Sequence, residues 1–61
     1  EPLMLVRNKV RDIKVGQSIH ILATDPSTRR DFTNYCRFMG HHLDESIEND
    51  GVFEYVITKG V

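Results

Sequence analysis

The chain of 61 residues has room for one small domain. Its single cysteine, Cys36, rules out an internal disulfide and fits a reducing compartment better than secretion. Eight Lys and Arg stand against nine Asp and Glu, a formal net charge of −1, which argues against bulk electrostatic binding to nucleic acid. The longest apolar run, Leu3 to Val6, falls far short of the roughly 20 residues that a membrane span needs. The opening residues are acidic and proline-containing and do not resemble a signal peptide, so a cytoplasmic location is expected. Charge is uneven locally: Arg7, Lys9, Arg11 and Lys14 crowd one segment, and residues 44–50 are mostly acidic.

Residues 3–14 read as a helix. Leu3, Val6, Val10 and Ile13 recur at helical spacing on one face. Pro2 suits the first turn, and Gly16 is the stop signal. Arg7, Arg11 and Lys14 form a stripe beside the apolar face, and Met4 falls at its far margin. Gln17 to Thr24 alternates as a strand. Both of its faces are partly apolar, which suggests a position inside a sheet.

Asp25-Pro26 reads as a helix start, with Asp25 as N-cap and Pro26 at the first helical position. That helix runs to Met39 and ends at Gly40. Phe32, Tyr35, Cys36 and Met39 share its apolar face, and Phe38 lies off that face, exposed or half-buried. His42 to Ile47 and Val52 to Thr58 read as a hairpin around Asn49-Asp50-Gly51. A helix that opens the pattern lacks a strand to pack beside. A right-handed strand–helix–strand unit would supply one ahead of Glu1. The chain, residues 1–61, thus reads as a single α/β two-layer sandwich whose first strand is missing.

Several blocks occur in order. They are residues 1–7 (EPLMLVR), Val15-Gly16, residues 23–31 (ATDPSTRRD), residues 38–41 (FMGH) and residues 55–60 (YVITKG). Together they resemble the TusA/SirA family of sulfur carriers over essentially the whole chain. The resemblance implies a β-α-β-α-β-β fold with a mixed four-stranded sheet and two helices. Glu1 and Pro2 resemble the last two positions of the family's Cys-Pro-x-Pro motif. The sulfur-bearing cysteine would then precede Glu1, and no catalytic residue lies in this chain.

The resemblance also implies a function. The intact protein would take a persulfide sulfur from a cysteine desulfurase and pass it to a downstream relay protein, toward tRNA 2-thiouridine. No cofactor is implied. A thiol at a helix start sits at the positive end of the helix dipole, which favours thiolate or persulfide. Met4, Arg7, Arg11, Asp25 and Phe38 are the candidate partner-binding residues.

Each candidate has a plainer role. The Arg7–Lys14 stripe would serve as a solvated face, and Asp25 as a cap alone. Cys36 reads as a small buried apolar residue, and Met39 as core. His20, His41 and His42 with Cys36 match no zinc spacing, so no metal site is expected. A different class, a small RNA-binding or regulatory α/β domain, would rest on the basic stripe. It lacks an exposed aromatic platform for stacking bases.

Overall fold

The computed structural model describes residues 2–61, with side chains from residue 3 onward. The described elements are α1 (Pro2–Asp12), β1 (Ser18–Ala23), α2 (Thr28–Met39), β2 (His42–Asn49) and β3 (Val52–Thr58). They make an α/β fold. The three strands form one sheet in the order β1-β3-β2, with both neighbours antiparallel to β3.

The expected helical faces pack as the spacing requires. Val6 and Val10 of α1 and Phe32 and Cys36 of α2 are buried against Phe53, Tyr55 and Ile57, which alternate along the inner face of β3. Leu3, Ile19, Ile21, Ala23, Tyr35 and Leu43 pack around this core, partly buried. The Phe32 and Tyr55 rings meet edge to face with centroids 4.8 Å apart, the arrangement that the quadrupoles of the two rings favour.

One polar chain crosses this apolar core. The buried Thr28 hydroxyl donates to the Asp25 carbonyl at 2.7 Å and lies 2.7 Å from the Tyr55 hydroxyl. Thr28 has one proton to give, so Tyr55 is the donor to Thr28. The start of α2 is thereby tied to the middle of β3.

Both helix boundaries differ from the sequence expectation for local reasons. The first helix ends at Asp12 instead of Lys14. The Gln17 side chain accepts the Lys14 N–H at 2.8 Å, and the Gln17 N–H donates to the Lys14 carbonyl at 2.9 Å. This turn competes with another helical turn, and it takes Lys14 out of the helical stripe. Helix α2 starts at Thr28, two residues after Pro26. Asp25 does not cap it; its Oδ1 accepts the Ser27 N–H at 2.9 Å in a local turn. The residue before the helix is Ser27, which makes no side-chain cap bond.

The other end of α2 follows the glycine signal. Gly40 has φ 79°, and the His41 N–H reaches back to the Cys36 carbonyl at 2.9 Å. Met39 is a correction: expected in the core, it is 41% exposed, because it faces the crevice between the helices and not the sheet.

The hairpin turn is the two-residue type that Asp-Gly favours. Asn49 pairs with Val52, and Asp50 and Gly51 have φ of 53° and 79°. Strand β2 carries a register shift between Leu43 and Glu45. The extra residue, Asp44, accepts a hydrogen bond from the Thr58 hydroxyl, which in turn accepts from Ser18. Strand β1 lies at the sheet edge among the described residues, not inside it. Its outer side borders an apolar groove lined by Leu5, Val6, Ile21, Leu22, Ala23 and Val52.

The Thr28–Tyr55 contact gives an ordered prediction for urea unfolding. Tyr55→Phe removes a bond but leaves no buried donor unpaired, and costs about 1 kcal/mol. Thr28→Val strands the Tyr55 hydroxyl in the core and costs more, about 2–3 kcal/mol. Equal losses, or the reverse order, would show that the hydroxyl pair does not carry the link.

Candidate docking face and helix crevice

Charge in this molecule is layered. The helices carry Arg7, Lys9, Arg11, Arg29, Arg30 and Arg37 against Asp12 and Asp31. The strands carry Asp44, Glu45, Glu48 and Glu54 and no Lys or Arg. A net charge near zero therefore covers a cationic helix layer and an acidic sheet.

The residues singled out for partner contact fall into two groups. Phe38 is 89% exposed and Met4 60%, as their helical angles required. Arg7 and Phe38 meet along a crevice between α1 and α2, whose outer part, about 320 Å³, also involves Leu3, Asp31, Tyr35 and Met39. Arg11 joins Arg7 in the adjoining part, about 230 Å³. Asp25 lies apart, on the other flank of α1 beside Leu5, Leu22 and Val52. Its carboxyl is held below the usual range by the Ser27 backbone N–H and then the Ser27 side chain. Glu1 and the side chain of Pro2 lie outside the described residues.

Sequence reasoning missed Tyr35, His41 and Lys59 as members of the crevice. Lys59 Nζ donates to the Ile13 carbonyl at 2.8 Å and lies 3.4 Å from the Arg11 carbonyl, so it caps the C-terminal end of α1. The His41 and Tyr35 rings lie 5.6 Å apart. His41 Nδ1 accepts the Gly60 N–H at 3.1 Å, which leaves Nε2 as the ring's donor. Gly60 has to be glycine, since a Cβ there would fall 2.0 Å from the Gly40 carbonyl oxygen. The exposed Leu5 (67%) and Leu22 (64%) were also missed. The alternation of β1 contained Leu22, but nothing in it said that the outer side would be open.

Cys36 is buried, and burial first, then the Asp44 charge, pushes its thiol up to about 11. At neutral pH it holds almost no thiolate, the reactive form. Among the described residues no group of His, Cys, Asp and Glu could hold a metal ion. No described helix is long and apolar enough to cross a membrane. The nearest approach to a catalytic pair, His20 with Glu54, is a half-exposed cross-strand contact on the open sheet face.

The chain is thus a two-layer α/β domain with an open crevice between its helices, an exposed aromatic at Phe38 and a buried thiol at Cys36. Comparison with known families supplies the particular assignment. The family model described as sulfurtransferase TusA matches residues 1–59, and the chain belongs to that family. Relatives named sulfur carrier protein TusA from Pseudomonas paraeruginosa and Pseudomonas aeruginosa are 49% identical over 59 residues, covering 97% of this chain and 75% of theirs. The protein of that name from Pseudomonas savastanoi is 46% identical, over 97% of this chain and 70% of its own.

Two outcomes test this chemistry. Cys36 is expected to resist a thiol-specific reagent in the folded protein at neutral pH and to react at once in denaturant. Rapid native reaction would contradict its burial. His41 is held below the usual 6.5 by burial, then Lys59, then His42. Its folded value is lowered, so the unfolded chain binds the proton more readily. The stability it supports is present above 6.5 and lost as pH falls from 6.5 through the lowered value. An NMR titration should place the His41 midpoint below 6.5. The acid-side fall in Tm should shrink in His41→Gln, whose side-chain oxygen can still accept from Gly60.

Proposed function

We propose that this chain forms the body of a sulfur carrier that receives persulfide sulfur from a cysteine desulfurase and relays it, toward tRNA 2-thiouridine, in the cytoplasm. The observation that carries the reading is membership of the sulfurtransferase TusA family across residues 1–59. The sulfur-bearing cysteine lies ahead of Glu1, at the mouth of α1. There the unpaired N–H groups and positive dipole end of the helix favour an anionic sulfur.

Met4, Arg7, Arg11 and Phe38 surround that mouth and the adjoining helix face, and they dock the donor and the acceptor in turn. Guanidinium groups attract partners whose own sulfur and surface are anionic. Phe38 offers an aromatic anchor. Asp25 contacts partners from the other flank. The buried, fully protonated Cys36 supports this reading, since it cannot compete for the sulfur.

The apolar groove along β1 receives a further strand, supplied by residues ahead of α1. The groove's lining by Leu5, Ile21 and Leu22 and the free edge of β1 support this. A strand in that place completes a right-handed strand–helix–strand unit and covers the edge. In a chain that includes those residues, edge amides of β1 should become protected from hydrogen exchange. Their remaining as exposed as in residues 1–61 would remove the strand from the account.

The relay itself is tested by mass spectrometry. The longer chain, incubated with a cysteine desulfurase and cysteine, is expected to gain the mass of one sulfur atom, and Cys→Ser at the position ahead of Glu1 abolishes the gain. Residues 1–61 alone gain nothing. Arg7→Glu should slow loading about tenfold with the fold intact. A longer chain that folds but never gains sulfur would overturn the proposal.

A further inference from the structure

The inner part of the crevice between α1 and α2 has a composition that partner docking does not require. It is lined by Arg7, Val10, Arg11, Tyr35, Met39, His41, Lys59 and Val61, and no Asp or Glu side chain lines it. Neither Arg7 nor Arg11 makes an ion pair or side-chain hydrogen bond among the described residues. They stand one helical turn apart on the same face, where like charges repel by a few tenths of a kcal/mol. That unfavourable pairing is relieved only by an anion between them or by solvent.

The other polar groups of the crevice are donors too. Lys59 uses its ammonium on two backbone carbonyls and keeps its charge at the rim. Gly60 fixes the His41 tautomer that presents Nε2–H. Burial raises the Tyr35 phenol, with Cys36 adding and the charges of Arg7 and Arg11 opposing, so the hydroxyl keeps its proton. Among the described residues that hydroxyl has no hydrogen-bond partner. Two guanidinium groups, an ammonium, an imidazole N–H and a phenol therefore border one small concavity with no Asp or Glu side chain among them.

We propose that this concavity binds a phosphoryl group, either as free phosphate or as the terminal phosphate of a mononucleotide. A tetrahedral oxyanion offers acceptors in every direction to the ring of donors, and paired arginines suit it through bidentate bonds. A volume of about 230 Å³ fits the oxyanion alone. The outer crevice, with Tyr35 and Phe38, has room for an attached nucleoside. The site lies along α1, with Arg11 roughly 13 Å from the helix mouth at 1.5 Å per residue. The proposal is independent of the sulfur-carrier reading, since it needs no residue ahead of Glu1.

The test is an NMR titration of the isotope-labelled 61-residue chain with sodium phosphate and, separately, with AMP, ionic strength being held constant with sodium chloride. Saturable shifts are expected at the Arg7 and Arg11 side chains and the His41 ring. Arg7→Gln and Arg11→Gln should each weaken binding about tenfold, by loss of a charge-assisted hydrogen bond. Arg37→Gln, outside the crevice, should leave binding unchanged. Tighter binding of AMP, with added shifts at Tyr35 and Phe38, assigns the phosphoryl group to a nucleotide; equal or weaker binding assigns it to free phosphate. Shifts that never saturate, that chloride alone reproduces, or that Arg37→Gln reduces as much as Arg7→Gln, overturn the site.

Discussion

The hydroxyl contact between Tyr55 and Thr28 is the constraint on which the rest of the molecule depends. A domain this small buries little surface and has a thin margin of stability, so a polar group placed at its centre has to be fully paired. Tyr55 sits in the middle strand, its ring edge-on to Phe32, and its proton goes to Thr28 at the start of α2. Thr28 in turn holds the Asp25 carbonyl. The register of the sheet and the entry of α2 are therefore fixed by one chain of two side-chain hydrogen bonds inside an apolar core. The same strand then extends its control. Lys59, just past its end, caps α1, and Gly60 reaches His41 just past α2. Strand β3 and its tail hold both helices, and the crevice between those helices inherits its shape from them.

Features that depend on a few adjacent residues were legible in the sequence. The Asp50-Gly51 turn, the Gly40 cap and the alternation of Phe53, Tyr55 and Ile57 are all where local chemistry puts them. The apolar faces of both helices follow from spacing alone, as does the outward position of Met4 and Phe38. The helix starts and stops were less legible, because a side chain could satisfy the same backbone group in two ways. Gln17 took the Lys14 N–H, and Asp25 took the Ser27 N–H in place of the first turn of α2. Met39 was misplaced because helical angle distinguishes faces of one helix but not whether a sheet or a neighbouring helix lies opposite.

The crevice was illegible for a different reason. Arg7 and Arg11, Tyr35, His41 and Lys59 come from four separate parts of the chain, and no spacing rule connects them. The basic and acidic segments were legible, but not their separation into two surfaces. A sum over all residues is near zero, yet six of the eight arginines and lysines fall on helices, and the strands carry four carboxylates and no Lys or Arg. Only the packing of helices on one face of the sheet turns that partition into two surfaces of opposite sign.

This partition bears on how the proposed carrier selects its partners. Its specificity has to come from the outer surface, and a surface of one sign is a poor discriminator, since any oppositely charged protein is attracted to it. Here the cationic layer is broken by the exposed Phe38, Met4 and Met39; under the proposed function, charge would bring a partner near and apolar fit would decide whether it stays. An anionic partner of the proposed carrier would be repelled by the acidic sheet and drawn toward the helices. The internal thiol completes the arrangement. Under the proposed function, a buried and protonated Cys36 leaves the sulfur chemistry to the mouth of α1, the end of the helix layer where Met4 and Arg7 stand.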